Sequence, residues 1–179
     1  MTLACMTMPS PVGDLTLVAS DEGLMAVLWP DDDPARVRLG ARSEAADHPV
    51  LRETASQLSE YFAGQRQHFS VPLHFQGTDF QRQVWAALLD IPFGETRSYA
   101  DIARAIGRPT ATRAVGAANG RNPISIIAPC HRVVGSNGAL TGFAGGVETK
   151  KYLLDLEQGG DNLFSFAPMP LADAGARSV

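Results

Sequence analysis

Asn122–Val134 reads NPISIIAPCHRVV, and the fold can be read outward from this stretch. Ile124 to Ala128 is an apolar run with β-branched residues and polar breaks on either side, which predicts a buried strand or a core-crossing segment. Pro129 fixes its own φ, donates no backbone hydrogen bond and biases Ala128 towards extended backbone. Cys130 is therefore delivered at a fixed place, with the imidazole of His131 and the guanidinium of Arg132 directly after it. A thiol beside two potentially cationic groups has its thiolate stabilised, and the thiolate is the nucleophile. The ordinary alternative is a structural cysteine at a strand end with His131 and Arg132 solvated. The flanking chain has to decide between them.

Upstream, Ser98–Ile106 (SYADIARAI) predicts a short helix with Ser98 as N-cap. Gly107-Arg108-Pro109 turns the chain, and a second helix starts at Thr110 or Ala111 and runs to Asn119. The pair has the length and turn of a helix-turn-helix, although a structural hairpin is the commoner fate of such pairs. The second helix is nearly bare: Ala111, Ala114, Gly116, Ala117 and Ala118 leave only Arg113 and Val115 projecting. A helix that reads the major groove carries several long polar side chains, whereas a slim one suits the narrower minor groove, where discrimination is weak. The expectation is sequence-tolerant DNA binding with one arginine projecting from the helix.

Charge supports this only after the chain is divided. The whole is net −4, but residues 1–77 hold 5 Arg against 10 Asp/Glu, and residues 78–157 hold 7 Arg and 2 Lys against 7 Asp/Glu. The cations gather in the half that carries the Cys motif, which permits contact with phosphate there. At 179 residues, 45% apolar and 19% charged, the chain fits one compact domain or two small ones. No run is long enough to span a bilayer, and MTLACMTMPSP lacks the pattern of a secretory signal, so a cytoplasmic protein is expected. Cys5 and Cys130 form no disulfide framework.

The first half predicts strands at Leu3–Met8, Asp14–Ser20 and Leu24–Trp29, with Leu15, Leu17 and Ala19 facing a core on one side. Pro30 to Asp47 reads as an acidic, irregular loop. Val50, Leu51, Thr54, Leu58, Tyr61 and Phe62 recur at helical spacing up to Gly64. Val71–Gly77 connects the halves. Thr78 and Gln81 make a capping box for a helix that carries Phe80, Val84, Ala87 and Leu88, with Trp85 in the core. A last helix, VETKKYLLDLE, ends on Glu157. The division expected is a structural domain over 1–70, a connector over 71–77, a DNA-binding and acceptor domain over 78–158, and an unstructured tail over 159–179.

From Thr78 to Glu157 the chain resembles the O6-alkylguanine-DNA alkyltransferases, also called methylated-DNA–protein-cysteine methyltransferases. Their PCHRV signature stands here as Pro129–Val133, with Asn122-Pro123 eight residues before the cysteine. The resemblance implies an α+β fold: a small ribonuclease-H-like α/β domain followed by a winged helix-turn-helix-type domain. It implies direct-reversal repair, in which Cys130 takes the alkyl group from O6-alkylguanine, and from O4-alkylthymine, in a single suicidal turnover. His131 would activate the thiol through a water, Glu157 would orient the imidazole, and Tyr99 would donate to a ring nitrogen of the departing guanine. Asn122 would tie the turn before the active site. Thr110, Arg113, Ala114, Ala117 and Arg132 would meet double-stranded DNA through its minor groove, with Arg113 filling the place of a flipped-out nucleotide. Val133, Phe143, Ala144 and Gly145 would line the pocket. Some relatives carry Tyr and Ser at the last pair but one, so Phe143 and Ala144 imply a more apolar wall. Some relatives bind a structural zinc near the N-terminus, but Cys5 has no second thiol nearby, so neither metal nor cofactor is expected. The resemblance further implies a monomer, with cooperative binding on DNA left open.

Two other readings remain. A cysteine hydrolase would use Cys130, His131 and Glu157 for acyl transfer, with turnover and an oxyanion hole. A winged-helix DNA-binding protein without chemistry would need no nucleophile.

Overall fold

The computed structural model describes residues 2–159. Apart from Gly159, the tail expected to be unstructured lies outside the described residues. Strands β1 (Leu3–Met8), β2 (Leu15–Ser20) and β3 (Gly23–Leu28) form an antiparallel meander where alternation predicts it, with Cys5 opposite Val18 and Val18 opposite Ala26. Leu15, Leu17 and Ala19 point into a first core with Leu24, Val27 and Trp29.

The one-sided reading of β2 is corrected. Val18, on the other face, is also fully buried, because Val37 and Leu39 of the following loop fold over it. That loop is not irregular throughout: β4 (Arg42–Glu44) pairs parallel with β1, giving the order β3-β2-β1-β4. Three exposed polar residues carry no strand signature of their own, and the free edge of β1 recruits them through its backbone.

Helix α1 (Pro49–Phe62) lies on the first core and buries Leu51, Leu58 and Tyr61, and Gly64 at φ 77° follows its end. Gln57 exchanges two bonds with Ser70, Nε2 to Oγ at 2.9 Å and Ser70 N to Oε1 at 2.9 Å, which fixes the connecting segment. Leu24 N donates to Pro72 O and His74 N to Leu24 O, both at 2.8 Å, so the connector briefly extends the sheet.

The second half is helical. Helix α2 (Asp79–Leu88) opens on the expected capping box, with Gln81 N on Thr78 Oγ1 at 3.1 Å and Thr78 N on Gln81 Oε1 at 3.0 Å. Helix α3 (Tyr99–Ala105) is capped by Ser98, which accepts from Asp101 N. Helix α4 (Thr112–Gly120) begins later than the sequence suggests, leaving Thr110 in the turn. Val84, Trp85, Leu88, Ile102 and Val115 make a second core, and Trp85 Nε1 donates to Ala118 O at 2.8 Å. Two short strands, β5 (Arg97–Ser98) and β6 (Val133–Val134), pair in parallel beneath it. Helix α5 (Val147–Gln158) returns to the first core through Tyr152, Leu153 and Leu156.

Residues 122–134 pass from one core to the other. Ile124, Ile126, Ile127 and Ala128 belong to the first, and Cys130 and Val133 to the second. The strand reading is corrected here and the core-crossing reading holds. Only Ile124 makes a bridge, to Val27, and Ile126 sits at φ 73°, which a β-branched residue rarely adopts. Such a residue costs about 1–3 kcal/mol. Burying the three isoleucines, at roughly 2 kcal/mol each, more than offsets it.

Candidate active site

Cys130–Arg132 form a single 3-10 turn. With three residues per turn, successive side chains leave about 120° apart, so Cys130 faces the second core while His131 and Arg132 reach α5. There Glu157 gathers four donors. His131 Nε2 stands 2.7 Å from Oε2, Arg132 Nε donates to Oε1 at 2.7 Å and its Nη2 to Oε2 at 3.0 Å, and the Tyr61 hydroxyl of α1 donates to Oε2 at 2.6 Å. The remaining Arg132 nitrogen, Nη1, donates to Ile91 O at 2.6 Å, and the guanidinium lies over Phe93, 5.7 Å from the ring centre. The assignment of Arg132 to the DNA surface is therefore corrected. It is buried with its guanidinium across both oxygens of a buried carboxylate, for which it supplies the counter-charge.

The protonation states follow. Burial alone would push the Glu157 carboxyl up, but His131 and Arg132 outweigh it and hold it at about 2. Burial pushes the His131 imidazole below its ordinary range despite the pull of Glu157. Burial, reinforced by the Glu157 charge, keeps the Tyr61 phenol protonated. A neutral imidazole beside a carboxylate carries its proton on Nε2 and leaves the lone pair on Nδ1. That Nδ1 is buried and has no protein partner. It is a base with a free acceptor position.

The expected thiolate is also corrected. Burial pushes the Cys130 thiol up, against a hydrogen bond from Asn122 and the charges of Arg36 and Lys150. Neither neighbour in sequence supplies the charge: Arg132 is committed to Glu157, and His131 is neutral. At rest the group is a thiol, and its proton needs the base.

Asn122 does what its position suggests. It is fully buried, donates Nδ2 to Ala128 O at 2.8 Å and accepts Ile124 N on Oδ1 at 3.1 Å, bracing the turn that holds the strained Ile126. Arg36 was not anticipated. It pairs with Asp32 through Nε at 2.8 Å and Nη2 at 2.7 Å, and its Nη1 donates to Gly120 O at 3.1 Å and Asn122 O at 2.9 Å. The loop over the sheet thus caps the open carbonyls at the end of α4 and fixes the start of the Cys stretch.

A cleft of about 40 Å³ opens at Cys130, walled by Tyr99, Gly116, Asn119, Phe143, Ala144 and Arg36 among others. Benzene occupies a cavity of about 150 Å³, so a purine enters only once a wall moves. Phe143 and Ala144 stand where expected. Val133 and Gly145 lie outside the cleft in this form: Val133 is fully buried in the second core, and a Cβ on Gly145 would come within 2.8 Å of the Trp29 indole. The Tyr99 hydroxyl is at the rim, 2.5 Å from Thr141 Oγ1. On α4, Arg113, Ala114 and Ala117 are exposed together, and Thr110 is exposed in the turn before it. Asn119 was missed as well: its Nδ2 reaches Cys130 O at 3.5 Å. Lys150, also missed, was legible, since positions 150, 153, 154 and 157 share one face of α5. Among the described residues no group of three or more His, Cys, Asp or Glu could hold a metal ion, and no helix is long and apolar enough to cross a membrane.

Known proteins are similar to this chain in sequence and in fold. Residues 3–75 match the ribonuclease-like domain of 6-O-methylguanine DNA methyltransferase, and residues 79–159 match its DNA binding domain. A methylated-DNA–protein-cysteine methyltransferase of Methanosarcina acetivorans is 48% identical over 153 residues, covering 83% of this chain and 94% of that protein. One from Mycobacterium bovis is 49% identical over 158 residues, covering 85% and 90%. The crystal structure of Mycobacterium tuberculosis OGT in complex with DNA superposes with a TM-score of 0.81 at 44% identity, over 91% of this chain and 99% of that one. With both halves matched and the identity this high, the chain belongs to the 6-O-methylguanine DNA methyltransferase family.

Proposed function

We propose that this protein repairs duplex DNA by moving the alkyl group of O6-alkylguanine, and of O4-alkylthymine, onto Cys130. The observation that carries the reading is an imidazole whose Nε2 is held by Glu157 and whose Nδ1 is free, on the residue that directly follows a buried thiol at a cleft. The duplex is met through its minor groove by α4, and Arg113 enters the stack as the damaged nucleotide turns out. The wall at 141–146 yields to admit the base. Sγ attacks the alkyl carbon as its proton passes through a water to His131 Nδ1, and the Glu157 carboxylate stabilises the imidazolium. The S–C bond forms and the C–O6 bond breaks. Tyr99 gives its proton to a ring nitrogen of the purine, which leaves as neutral guanine, and the proton taken up by His131 returns to the phenolate through solvent. Phe143 and Ala144 give the alkyl group an apolar wall. The protein acts as a monomer in the cytoplasm.

The product thioether is not reversed by thiol exchange, so each molecule reacts once. A cysteine hydrolase would turn over. Incubation with duplex DNA carrying one O6-methylguanine, followed by intact mass, separates the two. The expected result is a gain of one methyl per molecule on Cys130 and then a plateau, with Cys130→Ser binding the lesion but gaining nothing. Continued turnover, or methyl on Cys5, would sink the proposal.

A further inference from the structure

Behind the cleft at Cys130 lies a residue that the chemistry does not use. Phe143 touches both the cleft and Trp29, which follows directly on β3 in the first half of the chain. The two rings meet edge to face, inclined at 64° with their centres 5.5 Å apart. Trp29 is itself buried and does not line the cleft. The backbone of the wall also rests on it, since a Cβ added at Gly145 would stand 2.8 Å from the indole. The base of the residue is pinned. Trp29 N donates to Asp32 Oδ2 and Asp32 N to Trp29 O, both at 3.2 Å, and Asp32 is the partner of Arg36.

Packing alone does not call for an indole here. Trp29 Nε1 is buried with no hydrogen-bond partner among the described residues, a cost that leucine or phenylalanine would avoid. What the indole adds is bulk behind the wall. The cleft is too small for a purine, so Phe143 and its neighbours have to give way. A retreat towards the first core meets a ring that is itself packed in that core, and close-packed interiors yield little to added volume. We propose that Trp29 is the stop that limits the retreat of Phe143, and so determines the size of the alkyl group that Cys130 accepts. Small groups pass, and long or branched ones are resisted. This rests on the reading of Phe143 as the apolar wall for the alkyl group.

The test compares single-turnover transfer to Cys130 from duplex DNA carrying O6-methylguanine and from duplex DNA carrying O6-butylguanine, in wild type, Trp29→Leu and Phe143→Ala. The readout is the ratio of the butyl rate to the methyl rate, in which a general effect on folding, DNA binding or the thiol cancels. Trp29→Leu should raise that ratio about tenfold, the scale of one methylene in an apolar pocket. Trp29→Phe should raise it less, and serves if Trp29→Leu does not fold. Phe143→Ala should also raise it. If Phe143→Ala raises the ratio while the Trp29 variant leaves it unchanged or lowers it, the stop alone fails. If Phe143→Ala leaves the ratio unchanged, the reading of Phe143 as the alkyl wall fails and takes the stop with it. Equal butyl and methyl rates in wild type would leave no limit for Trp29 to set, and overturn the stop. Absence of methyl on Cys130 in wild type would instead sink the proposed function.

Discussion

Arg113 and Arg132 belong to the same half of the chain and do opposite work. Arg113 stands exposed on a helix face that offers it no hydrogen bond or ion pair among the described residues. Arg132 is buried, with three of its nitrogens bonded and its face against Phe93. A guanidinium is stable in a protein interior only when its donors are met by a counter-charge and acceptors. The buried one is therefore part of the architecture that sets Glu157 and His131. The exposed one has its donors unmet among the described residues, as its proposed place in the DNA stack requires. On the proposed function the α4 face docks and the Glu157 knot holds the chemistry in place, so their variants should fail in different ways.

The largest expected effect is at the knot. Glu157→Gln leaves Arg132 buried without a counter-charge and should cost about 3–5 kcal/mol of stability, read as a shift in denaturant midpoint. Alkyl transfer should be nearly lost as well, because His131 Nε2 loses the group that fixes its tautomer. The same knot sets the acid limb of stability. Glu157 is held at about 2, below its ordinary 4.5, so its contribution is full above pH 4.5 and is lost as pH falls towards 2. That contribution is on the order of 3 kcal/mol. His131 is held below its ordinary 6.5, so its contribution too is present above that pH and shrinks below it. Stability should fall from about pH 6.5 downward, steepening below 4.5, and Glu157→Gln should remove the lower part. A flat profile between pH 6.5 and 3 would mean that the knot is not the acid-labile element.

Arg113→Ala should do the reverse. Stability should stay within about 0.5 kcal/mol, as for an exposed side chain without partners. Repair of duplex O6-methylguanine should slow on the order of a hundredfold, since extrusion costs a few kcal/mol and the arginine offsets part of it. Reaction with free O6-benzylguanine, which needs no extrusion, should barely change. The ratio of the two rates, mutant against wild type, is the measurement. An unchanged ratio would make Arg113 a surface charge like any other.

What the sequence disclosed was what short-range chemistry determines. The Thr78–Gln81 capping box, the Ser98 cap and the Asn122 brace each close within six residues, and each stands as read. Cys130 and His131 were singled out on the PCHRV motif, and Glu157 on the family resemblance alone. The failures share a cause. Arg36 finds Gly120 and Asn122 across more than eighty residues, from a loop whose composition suggested only irregularity. Arg132 read as a DNA contact because nothing nearby in sequence announces its counter-charge on α5. The thiol's pKa was misjudged for the same reason, since adjacency in sequence suggested charges that the 3-10 turn carries elsewhere. The strand predicted at Ile124–Ala128 failed because hydrophobicity reports burial and not backbone shape. The bracket of Asn122 and the burial of the three isoleucines together account for the positive φ of Ile126.

The smallest effect is expected at the bond that joins the knot to the sheet half. The Tyr61 hydroxyl on α1 reaches Glu157, 96 positions away, at 2.6 Å. Tyr61→Phe removes that donor alone. The ring should keep its edge contacts with Phe62 and Phe93, at 5.3 and 6.3 Å between centres. Oε2 keeps His131 and Arg132, so the carboxylate stays ionised and the imidazole stays aimed. The loss should be about 1.5 kcal/mol, that of one hydrogen bond to a charged group, with an unchanged denaturant slope. Alkyl transfer should fall by less than about threefold, because the bond that fixes the tautomer is untouched. Were Tyr61→Phe as damaging to transfer as Glu157→Gln, α1 would be part of what holds the chemistry in place. The contrast drawn from Arg113 and Arg132 would then have to be redrawn around α1.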